Sequence, residues 1–84
     1  MLVIVKPHAA MRMLDRGITE TQVRDVLQSP KEVISIRYGR FAAYRRLHGK
    51  ELVVVYEKKN EEIEVITVLW VDERRLRRFG FTRI

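Results

Sequence analysis

The chain reads PHAAMRMLDRGI over residues 7–18, and this stretch decides the helical part of the fold. On a helical wheel its alanine, methionine and leucine residues fill one side. The polar residues fall within a single arc: His8, Arg12, Asp15 and Arg16. Pro7 stands where a helix tolerates proline best, and Gly17 suits a left-handed C-terminal cap. The stretch predicts a short amphipathic helix over about residues 7–16 with a cationic face.

The segments on either side predict a strand and a second helix. Leu2–Val5 is a short apolar run typical of a strand. Thr19 and Gln22 have the spacing of a capping box, in which each side chain binds the other residue's backbone N–H. Ser29-Pro30 predicts the end of this helix near residue 28.

Beyond residue 31 the pattern changes to strands joined by short turns. We expect strands over residues 32–37, 41–47, 51–58 and 62–71. The predicted fold is α+β, with one strand, two helices and then a four-strand antiparallel meander, the helices packing on one face of the sheet. The chain is expected to form a single domain, residues 1–84, with a basic C-terminal tail, residues 72–84. The tail pattern fits either a helix of one or two turns or the end of a strand.

Charge is the main compositional feature. The 84 residues carry a net charge of +6, and arginines outnumber lysines twelve to five. Such a bias predicts affinity for polyanions, with nucleic acid first and an acidic protein second. Arginine favours bidentate contacts to phosphate. The alternative is that the arginine content reflects thermophily or genome composition.

Several classes of site and location are disfavoured. The chain has no cysteine and only two histidines. It shows no metal-ligand spacing, phosphate-binding loop or dinucleotide fingerprint, so we expect no cofactor and no metal. The first apolar run is too short for a signal peptide, and no run is long enough to span a membrane. We expect a cytoplasmic protein without membrane contact.

The first candidate site is the cationic face of the first helix. His8, Arg12 and Arg16 follow one another at intervals of four residues and project from one side. A histidine can act as general base or acid near neutral pH, and arginines can stabilise a developing phosphate charge. The alternative is structural: His8 caps its own helix, and the arginines pair with Asp15, Glu20 or the sheet.

The second candidate site is the strand over residues 41–47. Tyr44, Arg46 and His48 would share one face, with Arg45 on the other. Aromatic stacking combined with arginine is typical of RNA recognition. The alternative is an exposed edge strand kept soluble by its charges.

The C-terminal tail forms the third candidate site. It holds the densest basic cluster of the chain, Arg74, Arg75, Arg77 and Arg78. Leu76, Phe79 and Phe81 are interleaved with it. The cluster predicts contacts to a phosphate backbone, and the alternative is a solvated tail pinned by its aromatic residues.

The strands over residues 51–58 and 62–71 are apolar on both faces, and two helices cover only one face. We expect either a homodimer or an obligate partner on the face that carries Trp70, or the tail folded back as the competing cover.

The first helix also carries a resemblance. Seven positions of the helix and the two residues after it match the signature HAxxRMxxRGI of a small prokaryotic domain family of unknown function; they are His8, Ala9, Arg12, Met13, Arg16, Gly17 and Ile18. That family distantly resembles the RelE, ParE and BrnT toxins, and the resemblance covers roughly residues 1–71. It implies a RelE/ParE-like fold with working residues on the exposed sheet face.

These observations together predict an RNA-binding, metal-independent endoribonuclease toxin of a toxin–antitoxin system, with an acidic antitoxin-like protein as partner. His8 would be the acid or base, Arg12, Arg16 and Arg46 would stabilise charge, and Tyr44 would stack on a base. The alternative is a non-catalytic basic module that binds nucleic acid or an acidic protein.

Overall fold

A computed structural model describes residues 2–84 of the chain. Five strands and three helices follow in the order β1 (Leu2–Val5), α1 (Pro7–Arg16), α2 (Glu20–Gln28), β2 (Glu32–Ile36), β3 (Arg40–Leu47), β4 (Lys50–Lys59), β5 (Glu62–Val71) and α3 (Glu73–Phe79). A tight turn at Arg37–Gly39 joins β2 to β3. None of the helices within residues 2–84 has the length and apolar character needed to cross a membrane.

The strands form one mixed sheet in the order β1-β5-β4-β3-β2. Strands β2 to β5 pair antiparallel with their neighbours in the chain, because each connection is a short turn. Strand β1 lies at the edge, parallel to β5. The α+β class is confirmed.

The boundaries of α1 and α2 follow from their caps. Gly17 has φ 64° and ψ 36°, and the N–H of Ile18 donates to the Met13 carbonyl at 2.9 Å. At α2, the N–H of Gln22 donates to Thr19 Oγ1 at 3.1 Å, and the N–H of Thr19 donates to Gln22 Oε1 at 2.9 Å. The predicted glycine cap and capping box are both confirmed.

Helices α1 and α2 bury only part of their apolar residues. Ala9 of α1 is fully buried against β5, and Val23 and Val26 of α2 are fully buried against β3 and β4. Met11 and Leu14, by contrast, lie on the outer side of α1 with 65% and 84% of their surface exposed. The apolar side of α1 is therefore wider than the stripe that contacts the sheet.

A bulge in β5 changes which residues face these helices. Val65 pairs with Tyr56 and Thr67 with Val55, so Ile66 has no partner on β4. The extra residue reverses the alternation, as a β-bulge does. Strict alternation along β5 would place Val65 on the same face as Leu69 and Val71, but the structure puts Val65, Val68 and Trp70 together under α1 and α2.

The C-terminal tail forms α3 and covers the opposite face of the sheet. Leu76 and Phe81 are buried there against Tyr44, Val53 and Val55. The two predicted helices, α1 and α2, pack together on one face of the sheet as expected. The placement of an uncovered face around Trp70 is wrong, because Trp70 lies on the face that these two helices cover. The competing expectation, that the tail covers the second face, is the arrangement observed. A homodimer would need a different surface and stays a prediction.

Several contacts hold the tail in place. Asp72 caps α3 by accepting the Arg75 N–H at 2.8 Å. Gly80 ends the helix at φ 110°, which lets Phe81 turn back into the core. The Glu32 carboxylate on β2 then accepts the backbone N–H groups of Thr82 and Arg83 at 2.9 and 2.7 Å.

Candidate nucleic-acid interface

Two exposed arginines from distant parts of the chain, Arg37 and Arg78, line a groove between the Arg37–Gly39 turn and α3. This groove, called the arginine groove below, is open to solvent and has a volume of about 510 Å³. Its walls include Ile36, Arg37, Tyr38, Arg40, Arg78 and Phe79. A shallower depression lined by Arg75, Arg78 and Phe79 continues from it along α3. The two depressions share one wall of α3 and form a continuous cationic surface.

The charge of the arginine groove is largely uncompensated. Arg40 donates to the Glu57 carboxylate at 3.0 Å. Arg37 and Arg78, in contrast, are exposed and form no ion pair with the carboxylates of residues 2–84, and the same holds for Arg75 in the adjoining depression. Unpaired guanidinium groups that line one concave surface attract an anion and can hold phosphate oxygens in bidentate geometry.

An aromatic ring stands at one side of the groove. Tyr38 is 84% exposed, and the Arg40 guanidinium carbon lies 6.0 Å from its ring centroid. Phe79 is half-buried and lines the opposite wall. The groove therefore combines cations with aromatic surface, the two kinds of group that contact phosphates and bases in nucleic-acid complexes.

Sequence reasoning found only part of this surface. It singled out Arg75 and Arg78 but placed Arg37 at the end of a strand and treated Tyr38-Gly39-Arg40 only as a turn between strands. The available signal was an aromatic residue between two arginines at the tip of a hairpin, where small polar residues are usual.

Of the four arginines predicted to form a cluster in the tail, one forms an ion pair and three do not. Arg77 donates to Glu73 at 2.7 Å, one turn earlier in α3. Arg74 is exposed and has no ion pair with any carboxylate in the described part of the chain, like Arg75 and Arg78. Arg74, Arg75 and Arg78 therefore remain available for phosphate contacts, while Arg77 is already engaged.

Strand β3 does not form the exposed site predicted for it. Tyr44 is 1% exposed, and its hydroxyl donates to the Arg83 carbonyl. Phe81 packs edge-on against the Tyr44 ring, with centroids 4.7 Å apart. Burial raises the pKa of Tyr44, and the carboxylates of Glu51 and Glu32 raise it further. The expectation that Tyr44 offers a face for base stacking is wrong, because α3 and the following residues cover it.

The other polar residues predicted for this site either bind neighbouring groups or lie outside the strand. Arg46 pairs with Glu51 at 3.4 Å, and Arg45 donates to the Ser29 carbonyl at 2.9 Å on the other face. His48 lies in the β3–β4 turn with φ 54°, so its predicted place on the strand face is wrong.

The predicted residues of α1 lie on the other side of the sheet from the arginine groove. His8 is exposed, and Arg12 lies 3.9 Å from the Asp15 carboxylate. Arg16 holds α1 on β5: its guanidinium donates to the Val68 carbonyl at 2.5 Å, and its own carbonyl accepts the Trp70 indole N–H at 3.1 Å. The structural alternative considered for Arg16 is the one observed.

The four predicted catalytic residues are therefore not brought together. His8, Arg12 and Arg16 belong to α1, whereas Arg46 lies on the α3 side of the sheet beside Glu51 and Glu73. Over residues 2–84, no group of three or more histidine, aspartate or glutamate side chains is placed to hold a metal ion.

Comparison with known proteins assigns the chain to a family. Residues 5–70, more than half of the chain, match a family described as "Domain of unknown function (DUF4258)". The match runs from the end of β1 to Trp70 and stops before α3. No curated protein and no solved structure matches the chain significantly. The chain thus belongs to the DUF4258 family of domains of unknown function.

Proposed function

We propose that this protein binds nucleic acid, and RNA in particular, through the arginine groove and the adjoining side of α3. The observation that carries the proposal is that Arg37 and Arg78 line one groove and that Arg75 lines the depression adjoining it, all three without ion pairs among residues 2–84. This is the non-catalytic form of the function expected from the sequence.

The shape of the site favours a polymeric ligand. A groove that stays open to solvent along α3 can hold a chain of phosphates, whereas sites for small molecules enclose most of their ligand. The net charge of +6 adds long-range attraction for a polyanion. RNA is preferred over DNA in this proposal because the HAxxRMxxRGI signature resembles that of a family related to RelE-like toxins, whose RelE/ParE-like fold we also propose for this chain.

The salt dependence of binding tests this proposal. The double variant Arg37→Ala/Arg78→Ala should bind a fluorescein-labelled stem–loop RNA more weakly, because two phosphate contacts are lost. The slope of log K against log salt should become shallower by about 1.5, at roughly 0.7–0.9 per phosphate. Fluorescence anisotropy at several salt concentrations measures both quantities.

A charge-matched control separates a site from general attraction. Arg24→Ala/Lys58→Ala removes the same charge from the other face of the sheet, where Arg24 lies on α2 and Lys58 lies over the Phe41 ring. We expect its salt slope to stay close to that of the unmodified protein. Equal effects of the two double variants would contradict the proposed groove.

A ribonuclease toxin is the second candidate function. It is favoured by His8 and Arg12, which lie one turn apart on α1. The His8 side chain is exposed and therefore accessible to a substrate. Arg16 and Arg46 are occupied by other contacts, so His8 and Arg12 are the remaining candidates for acid–base chemistry and charge stabilisation. In this form of the proposal an acidic antitoxin-like protein is the partner.

Incubation of the protein with end-labelled RNA in EDTA distinguishes the two functions. A toxin of this kind cleaves the RNA without metal, and His8→Ala abolishes cleavage while leaving the circular dichroism spectrum and the affinity unchanged. Retarded but intact RNA supports the binding module alone. Cleavage that persists in His8→Ala contradicts the assignment of His8.

A further inference from the structure

Tyr38 has a backbone conformation that its side chain disfavours. It lies at φ 64° and ψ 31°, followed by Gly39 at φ 67°, and the N–H of Arg40 donates to the Arg37 carbonyl. This is the pattern of a type I′ turn, whose two central positions favour asparagine, aspartate and glycine. Within residues 2–84 the other non-glycine residues with positive φ are His48 and Asn60, whose residue types are enriched there. A bulky tyrosine is the exception.

The fold gains little from the Tyr38 ring. With 84% of its surface exposed, the ring buries almost no apolar area, and its described aromatic contact is the distant one to Arg40. A residue held in a strained conformation without a packing contribution is a reason to look for a functional role.

The turn places this ring beside the cations of the arginine groove. Arg37 precedes Tyr38 directly, and Arg78 lines the same groove from α3. A phosphate held by Arg37 and Arg78 would bring the attached nucleoside within reach of the exposed ring. Bases stack on aromatic side chains when they are unpaired, whereas duplexes keep their base faces covered.

We infer that Tyr38 is a stacking platform for an unpaired base and that the arginine groove selects single-stranded over double-stranded RNA. This inference rests on the proposed function and adds the class of ligand. In this arrangement Arg37 and Arg78 hold the backbone, and Tyr38 distinguishes a single strand from a duplex.

Two variants of Tyr38 test the inference. Tyr38→Asn removes the ring and keeps a residue type that tolerates positive φ, while Tyr38→Phe keeps the ring and removes the hydroxyl. The probes are a labelled oligouridylate of about 12 nucleotides and an RNA duplex of about the same length. We expect Tyr38→Asn to weaken binding of the oligouridylate by about fivefold or more and to leave duplex binding unchanged. Tyr38→Phe should bind both probes like the unmodified protein.

The salt slope separates failure of this inference from failure of the proposed function. Tyr38→Asn removes no charge, so its slope should equal that of the unmodified protein, whereas Arg37→Ala/Arg78→Ala should have a shallower slope with both probes. If the arginine variant weakens binding and Tyr38→Asn does not, the stacking role is overturned and the groove stands. Equal losses on the two probes in Tyr38→Asn, or a loss in Tyr38→Phe, also overturn it. If the unmodified protein binds neither probe, both proposals are overturned.

Discussion

At the scale of single residues, Glu32 shows how one carboxylate holds the C-terminal segment on the sheet. It accepts the N–H groups of Thr82 and Arg83 and the Thr82 hydroxyl at 3.0 Å. Burial by itself raises the pKa of Glu32, but the hydrogen bonds from Arg83 and Thr82 together with the Arg83 charge outweigh it. The net pKa of Glu32 lies below its ordinary value of 4.5.

This lowered pKa predicts a pH-dependent contribution to stability. A carboxylate with a depressed folded-state pKa stabilises the fold fully above its unfolded value and loses that contribution as the pH falls through the folded value. Glu32→Gln should therefore lower the free energy of unfolding by about 1 kcal/mol near neutral pH and by much less well below pH 4.5. Urea unfolding of both proteins over this pH range measures the difference. The control Glu61→Gln removes an exposed carboxylate from the β4–β5 turn, and a pH dependence as large as that of Glu32→Gln would contradict the assignment.

At the scale of elements, α3 is the helix whose existence depends on packing. It has seven residues, and helices of that length are unstable in isolation. Leu76 at 1% exposure and Phe81 at 3% anchor it on the sheet. The capping box and glycine cap of the first two helices can be recognised from neighbouring residues. Over residues 72–84, by contrast, the local sequence pattern fitted a helix and the end of a strand equally well.

This dependence predicts a strong contrast between two substitutions in α3. Leu76→Ala should lower the free energy of unfolding by about 2–5 kcal/mol, because it leaves a cavity between α3 and the sheet. The matched variant Arg74→Ala, on the exposed side of the same helix, should change it by less than about 0.5 kcal/mol. Urea unfolding followed by circular dichroism gives both values, and similar small effects would show that α3 does not pack as described.

At the scale of the whole molecule, the sheet separates two sets of polar residues that look alike in the sequence. His8 and Arg12 lie on α1 on one side, and the arginine groove with α3 lies on the other. Because one ligand surface cannot include both faces of a sheet that is covered by helices on each side, the predicted composite site of α1 and β3 residues does not form. The two proposed functions consequently belong to different surfaces and are tested by different variants.

The sequence by itself determined the features that depend on near neighbours. Helix caps and turns depend on residues a few positions apart, so the boundaries of the first two helices and of the five strands were predicted within one or two residues. The excess of arginine is read directly from the composition. Only the tertiary structure decided which faces these elements share. The bulge at Ile66 reversed the faces of β5, and the docking of Leu76 and Phe81 buried Tyr44. The same docking brought Arg78 opposite Arg37, 41 positions earlier in the chain, to form the arginine groove. Such contacts depend on the burial of apolar surface between distant segments, and the local pattern carries no record of that pairing.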